Sequence, residues 1–324
     1  MVRVLFLGGL GRSGTTVLER ALGALPGFCP LGEVVHLWRR DLKDNERCGC
    51  GSPFDDCEFW QLIGKHAFDG WRNVDLERVL WLQDHIERTR HIPRLAAMRP
   101  GRGRGQDPIA EYADHYARIY RAAAQLTGAP VVVDSSKHSA LAYCLRWATG
   151  VDVRVAHVVR DARGVAYSWT KRVIRPESDG QAEMTRYSPG RAALLWAGHN
   201  AAFGLLGRRG IAVRRFRYED FVADPRATLR AVAAFAGLDL HTHGLEFLDD
   251  SNGAVHADLP AMHSAAGNPM RFLTGRVVLR GDDAWRRALP VAHRRLVGAI
   301  TAPLLGAYGY PLRQPTLARH GRLS

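Results

Sequence analysis

The chain has 324 residues, 46% of them hydrophobic, which is ample for a buried core and fits one large α/β domain or two small ones. Its formal net charge of +13 indicates an anionic partner, but charge does not distinguish nucleic acid, a membrane surface and a small polyanion. No run of 18 apolar residues is present and no cleavage site follows the apolar start, which argues against a membrane span and a signal peptide. Five cysteines fit the reducing cytoplasm better than a disulfide scaffold, so we expect a cytoplasmic protein.

Short apolar runs of strand length alternate with segments of helical spacing. Strands are expected at 2–7, 130–138, 153–159 and 211–218. Helices are expected at 15–25, 75–91, 111–127, 191–206, from about 225, and at 282–308. This alternation predicts an α/β fold, a P-loop-like three-layer sandwich with a central parallel sheet flanked by helices. We expect one domain over 1–324, with a substrate-side insertion at about 34–107 and a loop at 99–108.

Polar segments follow the predicted strands at their carboxyl ends, where ligands bind in parallel sheets. The first, GLGRSGTT (9–16), matches the phosphate-binding pattern G-x-x-x-x-G-K-[ST] except that Thr15 replaces the lysine. Backbone N–H groups of such a loop, with the start of the following helix, hold phosphate oxygens. Here the charge has moved to Arg12. Because γ-phosphoryl transfer without the lysine loses a main charge stabiliser, we expect the loop to hold a different 5′-phosphate.

Two other classes of protein remain as alternatives. A nucleotide kinase or hydrolase would use Mg-ATP with Arg12 in place of lysine, and VVVDSS (131–136) would be its magnesium-binding strand. A nucleic-acid-binding protein would carry its arginines in a contiguous stripe. The arginines of this chain are scattered among predicted helices, so we expect no nucleic-acid partner.

Several motifs, in their order along the chain, resemble the sulfotransferases that use 3′-phosphoadenosine 5′-phosphosulfate (PAPS). GRSGTT (11–16) resembles the 5′-phosphosulfate loop of that family, and VVRDARGVAYSW (158–169) resembles its 3′-phosphate motif. RYEDF (217–221) resembles a segment after a later strand. GNPMRF (267–272) and RGDDAW (280–285) resemble the segment that covers the cofactor in bacterial members. The RKG triplet of the cytosolic members is absent.

The resemblance implies a PAPS-dependent sulfotransferase of the bacterial type. Such an enzyme moves a sulfuryl group to a hydroxyl or amine of a small-molecule or carbohydrate acceptor by in-line displacement. The family needs no metal for the transfer, so we expect no metal site, and homodimers are common in it. The motifs are nearest to those of the carbohydrate and tyrosylprotein members, which carry arginine where Arg12 stands.

The resemblance also implies roles for the residues that would bind PAPS. Arg12 would hold the 5′-phosphosulfate, together with donors from the same loop: Gly11, Ser13, Gly14, Thr15 and Thr16. Arg160 and Ser168 would hold the 3′-phosphate. Arg172, four residues beyond Ser168, would lie on the same helical face and add a third ligand. Tyr218 would stack near adenine or pack in the core, and Arg271 and Arg276 would contact the cofactor from a lid.

Three side chains are candidates for the base that takes the acceptor proton. The resemblance assigns this role to Glu33, and His36 and His138 are the rivals. Lys137, which follows a predicted strand, would reach the bridging oxygen of the leaving phosphate, where charge develops in the transition state. Asp134 would orient Lys137 or cap the next helix.

Cys48, Cys50 and Cys57 form a C-x-C-x6-C pattern that invites a zinc interpretation, with His66 or His36 as fourth ligand. The pattern lacks a second clean pair, so packing or the structure of a substrate loop is the preferred interpretation, and a redox-sensitive pair is an alternative. His256 and His263 lie in a late loop and would face the acceptor.

Overall fold

The computed structural model describes residues 1–101, 107–175, 183–240, 244–251 and 254–312. Residues 102–106, at the centre of the loop predicted at 99–108, lie outside the described part. Within the described ranges, no helix is both long and apolar enough to cross a bilayer.

The described strands form two separate sheets. They are β1 (Val2–Gly8), β2 (Phe28–Pro30), β3 (Val131–Lys137), β4 (Val151–Val159), β5 (Ala212–Arg217), β6 (Leu248–Ser251), β7 (Ala254–Leu259) and β8 (Gly275–Leu279). The central sheet has the order β2-β3-β1-β4-β5, and all its pairs are parallel. Since β1 lies between β3 and β4, the segments that follow these three strands meet at one edge of the sheet.

Helices connect the strands and cover the sheet. They are α1 (Thr15–Gly23), α2 (Glu58–Phe68), α3 (Leu76–Ile86), α4 (Ile92–Ala97), α5 (Pro108–Thr127), α6 (Ser139–Cys144), α7 (Ala162–Thr170), α8 (Pro189–Leu206), α9 (Tyr218–Ala223), α10 (Pro225–Ala236), α11 (Trp285–Ala288) and α12 (Val291–Ala307). Single 3-10 turns span Val34–His36, Phe54–Asp56, Trp71–Asn73, Thr89–His91, Leu145–Trp147, Gly207–Arg209 and Pro269–Phe272, and a π turn spans Leu37–Asp41.

Alternate residues of β1 supply the two faces of the central sheet. Val4 and Phe6 join one hydrophobic cluster with α5, α6 and α8, whereas Leu5 and Leu7 join another with α1 and α10. Successive side chains of a strand point to opposite faces, so a continuously apolar strand needs apolar cover on both. The predicted α/β three-layer fold with a parallel sheet is confirmed.

The predicted elements are present, with ends that differ by a few residues. The segment expected to be one helix at 282–308 is two helices, α11 and α12, with Pro290 between them. A proline ring clashes with the residue before it when that residue is helical, so the first helix ends before Pro290. The segment expected as an insertion at 34–107 contains α2, α3 and α4. Its buried side chains, Trp60 and Leu82 among them, share a hydrophobic cluster with α5.

The second sheet, β6-β7-β8, is antiparallel and was not predicted. Its strands carry few buried residues; in β6 only Leu248 is buried. Apolar periodicity is therefore too weak to mark them. The segment between β7 and β8 pairs with the chain near Glu33 through a bridge from Gly32 to Ala265, so this part of the fold lies beside the site described next.

Candidate active site

A cavity of about 570 Å³ opens at the carboxyl edge of the central sheet. This volume lies in the range of small-ligand sites. The lining includes the loop after β1, the ends of β3 and β4, and parts of α7, α8 and β8. The sequence-predicted residues in its wall are Gly11, Arg12, Gly14, Thr15, Thr16, Glu33, His36, Lys137, His138, Arg160, Ser168 and Tyr218.

At two positions of the loop after β1, the backbone and its neighbours leave room only for glycine. Gly14 has φ 91, and a Cβ there would lie 2.3 Å from the Tyr218 ring. Gly9 has φ 147, and its Cβ would lie 2.4 Å from the carbonyl oxygen of Val158. The loop runs directly into the N-terminus of α1, whose free N–H groups favour an anion. The Ser13 side chain is buried and does not line the cavity, so its hydroxyl is not a wall donor.

Arg12 is held in the cavity wall with a positive φ of 75. Its Nη2 lies 3.2 Å from Met184 Sδ, and its guanidinium lies over the Trp169 ring at 5.4 Å from the centroid. Its buried Nε has no hydrogen-bond partner in the part of the chain that the structure describes. Burial lowers the pKa of Arg12, while the charge of Glu33 raises it. Because the half-buried guanidinium lines the cavity, it is suited to an anionic ligand.

Arg160, which directly follows β4, is a second cation in the cavity wall. Its Nη1 donates to the Arg12 carbonyl at 3.2 Å, and its Nη2 lies 3.3 Å from Asp282 Oδ2. The guanidinium stacks over Tyr218 at 4.7 Å, and the Tyr218 hydroxyl donates to the Arg280 carbonyl at 3.1 Å. Tyr218 therefore packs against both the loop glycine and the cation, and it also lines the cavity.

Glu33 and Lys137 form a buried ion pair in the wall. They are 104 residues apart in sequence, and β3 ends at Lys137 directly beside the segment that follows β2. Burial raises the pKa of Glu33, but the charge of Lys137 and its hydrogen bond lower it more, to about 2. The carboxylate is thus ionised at neutral pH and able to accept a proton.

The two rival histidines differ in their carboxylate partners. His36 Nε2 lies 3.7 Å from Glu33 Oε2, and burial and the neighbouring His138 lower the pKa of His36 to about 3, so its ring is neutral. His138 Nδ1 lies 2.6 Å from Glu87 Oε1. Burial lowers the pKa of His138, but Glu87 raises it above the ordinary value. The Nδ1 atom of His138 is engaged with Glu87, so this nitrogen is not available to take the acceptor proton.

Asp134 does not line the cavity. It is fully buried; its Oδ1 accepts from the Ser136 N–H at 2.7 Å and its Oδ2 from the Tyr120 hydroxyl at 2.5 Å. Burial raises the pKa of Asp134 to about 6. The expectation that it orients Lys137 or caps the next helix is wrong, because both oxygens are engaged within its own strand and by α5. The same burial removes it as a magnesium ligand at the loop.

Three arginines assigned to the cofactor lie away from the cavity. Helix α7 ends at Thr170, so Arg172 does not continue the helical face of Ser168; its side chain is 74% exposed and pairs with Glu183. Arg271 is buried and donates from Nη2 to the Arg47 carbonyl at 2.7 Å. Arg276, on β8, pairs with Asp249 at 2.6 Å. The expectation for Arg172 rested on a helical spacing, and those for Arg271 and Arg276 on the resemblance of their segments to the family. Neither shows where a side chain points.

Several further wall residues were not singled out in the sequence, among them Glu87, Trp169, Met184 and Asp282. Glu87 follows α3 and reaches His138. Trp169 donates from Nε1 to the Gly11 carbonyl at 3.0 Å and so supports the phosphate loop. Trp169 lies within the 158–169 motif and Asp282 within the 280–285 segment, so the resemblance to the family could have predicted both. No motif in the sequence pointed to Glu87 or Met184.

The three cysteines meet a different histidine from those expected. The ligand atoms of Cys48, Cys50, Cys57 and His263 lie within 4.8 Å of one another. Neither His66 nor His36 belongs to this group of described residues. The cysteines are buried or half-buried, and none of the four residues lines the cavity.

No family model and no curated protein matches this chain. Among solved structures, the sulfotransferase domain from the Synechococcus PCC 7002 olefin synthase is 20% identical, with 96% of this chain and 95% of that chain covered and a TM-score of 0.46. The sulfotransferase domain from the curacin biosynthetic pathway is 16% identical, with coverages of 96% and 99% and a TM-score of 0.49. A sulfotransferase from Alicyclobacillus acidocaldarius is 14% identical, with coverages of 95% and 96% and a TM-score of 0.43. All three bear the name of the family that the motifs resemble, but so distant a likeness leaves the function to be argued from this chain's own residues.

Proposed function

We propose that the protein is an enzyme that transfers the sulfuryl group of PAPS to a hydroxyl or amine of a small-molecule or carbohydrate acceptor. One observation carries the proposal. A phosphate loop without its lysine shares a cavity with two arginines, a lysine and a buried carboxylate: Arg12, Arg160, Lys137 and Glu33. This set offers fixed cations for a ligand with several anionic groups and a base for an acceptor.

The cations suit the charge of PAPS, which carries about four negative charges near neutrality. We assign the 5′-phosphosulfate to Arg12 and to the backbone N–H groups of loop 11–16, and the 3′-phosphate to Arg160 and Ser168. The position of Arg12 in the cavity wall, within the phosphate loop, supports the first assignment. Tyr218, which packs on Gly14 and Arg160, is assigned to the adenine side.

The transfer proceeds as an in-line displacement at sulfur. The acceptor oxygen or nitrogen forms a bond to sulfur while the bond from sulfur to the bridging oxygen of the leaving phosphate breaks. Glu33 takes the acceptor proton, and Lys137 stabilises the charge that develops on the bridging oxygen. The products are a sulfate ester or sulfamate and 3′-phosphoadenosine 5′-phosphate.

The ion pair between Glu33 and Lys137 couples donor binding to the strength of the base. Without a donor, Lys137 helps to hold the pKa of Glu33 at about 2. A bound donor that draws Lys137 toward its bridging oxygen weakens this pairing, and the pKa of Glu33 then rises. The carboxylate therefore becomes a stronger base when the donor is in place.

No observation favours the Mg-ATP kinase or hydrolase. The aspartate that would hold magnesium, Asp134, is buried and hydrogen-bonded through both oxygens.

Thermal unfolding with 3′-phosphoadenosine 5′-phosphate, compared with Mg-ATP, tests the proposal. A ligand at about 100 times its Kd raises the free energy of unfolding by about 2.7 kcal/mol, and we expect this rise with the bisphosphate in the absence of metal. Arg12→Ala should abolish the rise, because it removes the cation assigned to the 5′-phosphate.

Arg172→Ala is the matched control, since this arginine is exposed and outside the cavity. It should retain the full rise. Stabilisation by Mg-ATP alone, or an equal loss in both variants, would contradict the proposal.

A further inference from the structure

Three cysteines and a histidine outside the cavity direct their ligand atoms at one another. Cys57 Sγ lies 3.6 Å from Cys48 Sγ, 3.8 Å from Cys50 Sγ and 3.3 Å from His263 Nδ1. The histidine is 206 residues from Cys57 in sequence, so the fold brings the group together. All five cysteines of the chain are free thiols in this structure.

The distances match the edges of a coordination tetrahedron. Zn–S bonds of about 2.3 Å and a Zn–N bond of about 2.0 Å give S···S edges of about 3.8 Å and an S···N edge of about 3.5 Å. Sulfur atoms joined in a disulfide lie about 2.05 Å apart, much closer than any pair measured here. The group therefore has the spacing of metal ligands.

The backbone on the cysteine side forms a tight turn. Gly51 has φ 96, its N–H donates to the Cys48 carbonyl at 2.8 Å, and the Cys48 N–H donates to the Ser52 carbonyl at 2.8 Å. This turn allows Cys48 and Cys50 to face the same point. Cys57 follows at the N-terminus of α2.

On the other side, the surrounding residues fix the orientation of His263. Its ring stacks on Phe59 with the centroids 4.9 Å apart, and its carbonyl accepts from Trp60 Nε1 at 2.9 Å. The Nδ1 atom is thereby directed at Cys57.

We propose that Cys48, Cys50, Cys57 and His263 bind one zinc ion in a structural site. Four protein ligands fill a tetrahedral shell and leave no open position for substrate, which is the arrangement of structural zinc. A set rich in thiolates selects zinc over magnesium and calcium, which prefer oxygen ligands. The site is separate from the sulfuryl-transfer cavity and does not depend on the function proposed for it.

The ion joins the cysteine loop to the segment that supports Glu33. The Gly49 N–H donates to the Ser264 carbonyl, and the Glu33 N–H donates to the Ala265 carbonyl, both at 3.0 Å. Gly267 approaches so closely that a Cβ there would lie 2.5 Å from Glu33 Oε1. Zinc at His263 therefore holds the wall behind the carboxylate in position.

The first test is the metal content of the full-length protein purified without chelators. Elemental analysis should find about one zinc per chain. Cys50→Ala should reduce this to near zero, because it removes the one cysteine ligand that is only half-buried and so disturbs packing least. Cys29→Ala is the matched control; it deletes a buried thiol on β2 outside the group and should keep the zinc.

A second measurement needs no variant. The metal-free wild-type protein, titrated with Co²⁺, should develop a thiolate-to-cobalt charge-transfer absorption that saturates at about one equivalent. A chelator should lower the Tm of the zinc-loaded wild type and leave that of Cys50→Ala unchanged. A protein that is purified without zinc and gives no cobalt band would overturn the proposal. Equal zinc content in Cys50→Ala and Cys29→Ala would overturn it as well.

Discussion

Two cations of the proposed site, Arg12 and Lys137, have positive φ values of 75 and 67. Residues other than glycine occupy this region at a cost of about 1–3 kcal/mol, and such strain is concentrated at functional sites. For Lys137 the cause is visible in the sheet. The pairing of β1 with β3 shifts register between Phe6 and Gly8, and Gly8 then faces Lys137. The irregularity turns the Lys137 side chain toward Glu33.

The base assignment is tested by Glu33→Gln, which keeps the shape of the side chain and removes its charge. We expect transfer to fall by about 10²- to 10⁴-fold, the usual contribution of a general base. Binding of 3′-phosphoadenosine 5′-phosphate, measured by thermal unfolding, should persist. Release of the bisphosphate from PAPS in the presence of an acceptor measures the transfer.

The matched variant is His36→Gln. His36 is neutral and contacts Glu33, so its loss should reduce transfer less than Glu33→Gln does. If His36→Gln is the more damaging of the two, the histidine is the base and the assignment to Glu33 is wrong.

At the scale of elements, the conformation of the loop between β1 and α1 depends on its close packing against the Tyr218 ring. The Tyr218 ring is held by Arg160 on one side and by the Arg280 carbonyl through its hydroxyl. The ring cannot move without displacing Arg160, the second cation in the cavity wall. The loop, Tyr218 and Arg160 are therefore packed together as one unit.

Gly14→Ala tests this unit. The positive φ costs an alanine about 1–2 kcal/mol, and its Cβ would lie 2.3 Å from the ring, so Tyr218 must move as well. We expect a lower free energy of unfolding in denaturant titrations and weaker binding of the bisphosphate.

Gly198→Ala is the control. Gly198 lies in α8 with open space around it, and alanine there should stabilise the helix by about 0.5–1 kcal/mol. An unchanged stability and bisphosphate affinity in Gly14→Ala would show that the close packing is unimportant.

At the scale of the molecule, α1 links the central sheet to the segment between β7 and β8. Arg20 donates to the carbonyls of Pro260, Met270 and Arg271 at 2.8, 3.0 and 2.9 Å. Glu19, fully buried beside it, accepts from the Ser135 and Ser264 hydroxyls. Burial raises the pKa of Glu19 above its ordinary value. One helix thus anchors the segment that carries both His263 and Gly267.

His157 connects the sheet to two covering helices. Its Nε2 lies 2.7 Å from Asn200 Oδ1 on α8, and its ring meets Tyr308, just after α12, edge-on at 5.9 Å. Burial lowers the pKa of His157 to about 4, although the Asn200 hydrogen bond raises it. The unfolded chain, with an ordinary pKa of about 6.5, binds more protons between these values, so stability is lost as the pH falls from about 6.5 to about 4.

We expect this titration to lower the free energy of unfolding by up to about 3 kcal/mol, at about 1.4 kcal/mol per pKa unit. His157→Gln should flatten the pH dependence by that amount in denaturant titrations at a series of pH values. His293→Gln, at an exposed position of α12, should leave the profile unchanged. A His157→Gln profile parallel to that of the wild type would show that the imidazole is not held neutral.

The central sheet and its helices could be predicted because their signals are local. Apolar runs such as 2–7 and 153–159 need cover on both faces, and the glycines of GLGRSGTT permit one kind of turn between a strand and a helix. The second sheet gave no such signal, since few residues of its strands are buried. A helical spacing placed Arg172 beside Ser168, yet α7 ends before Arg172 and the side chain turns to Glu183.

The sequence by itself determined the α/β order of elements, the phosphate-type loop and the absence of its lysine, because these depend on neighbouring residues. Only the tertiary structure decided that Glu33 meets Lys137, that His138 is paired with Glu87 and that His263 completes the cysteine group. These partners are far apart in the chain. Their contacts follow from strand register and helix packing, which no short stretch of sequence encodes.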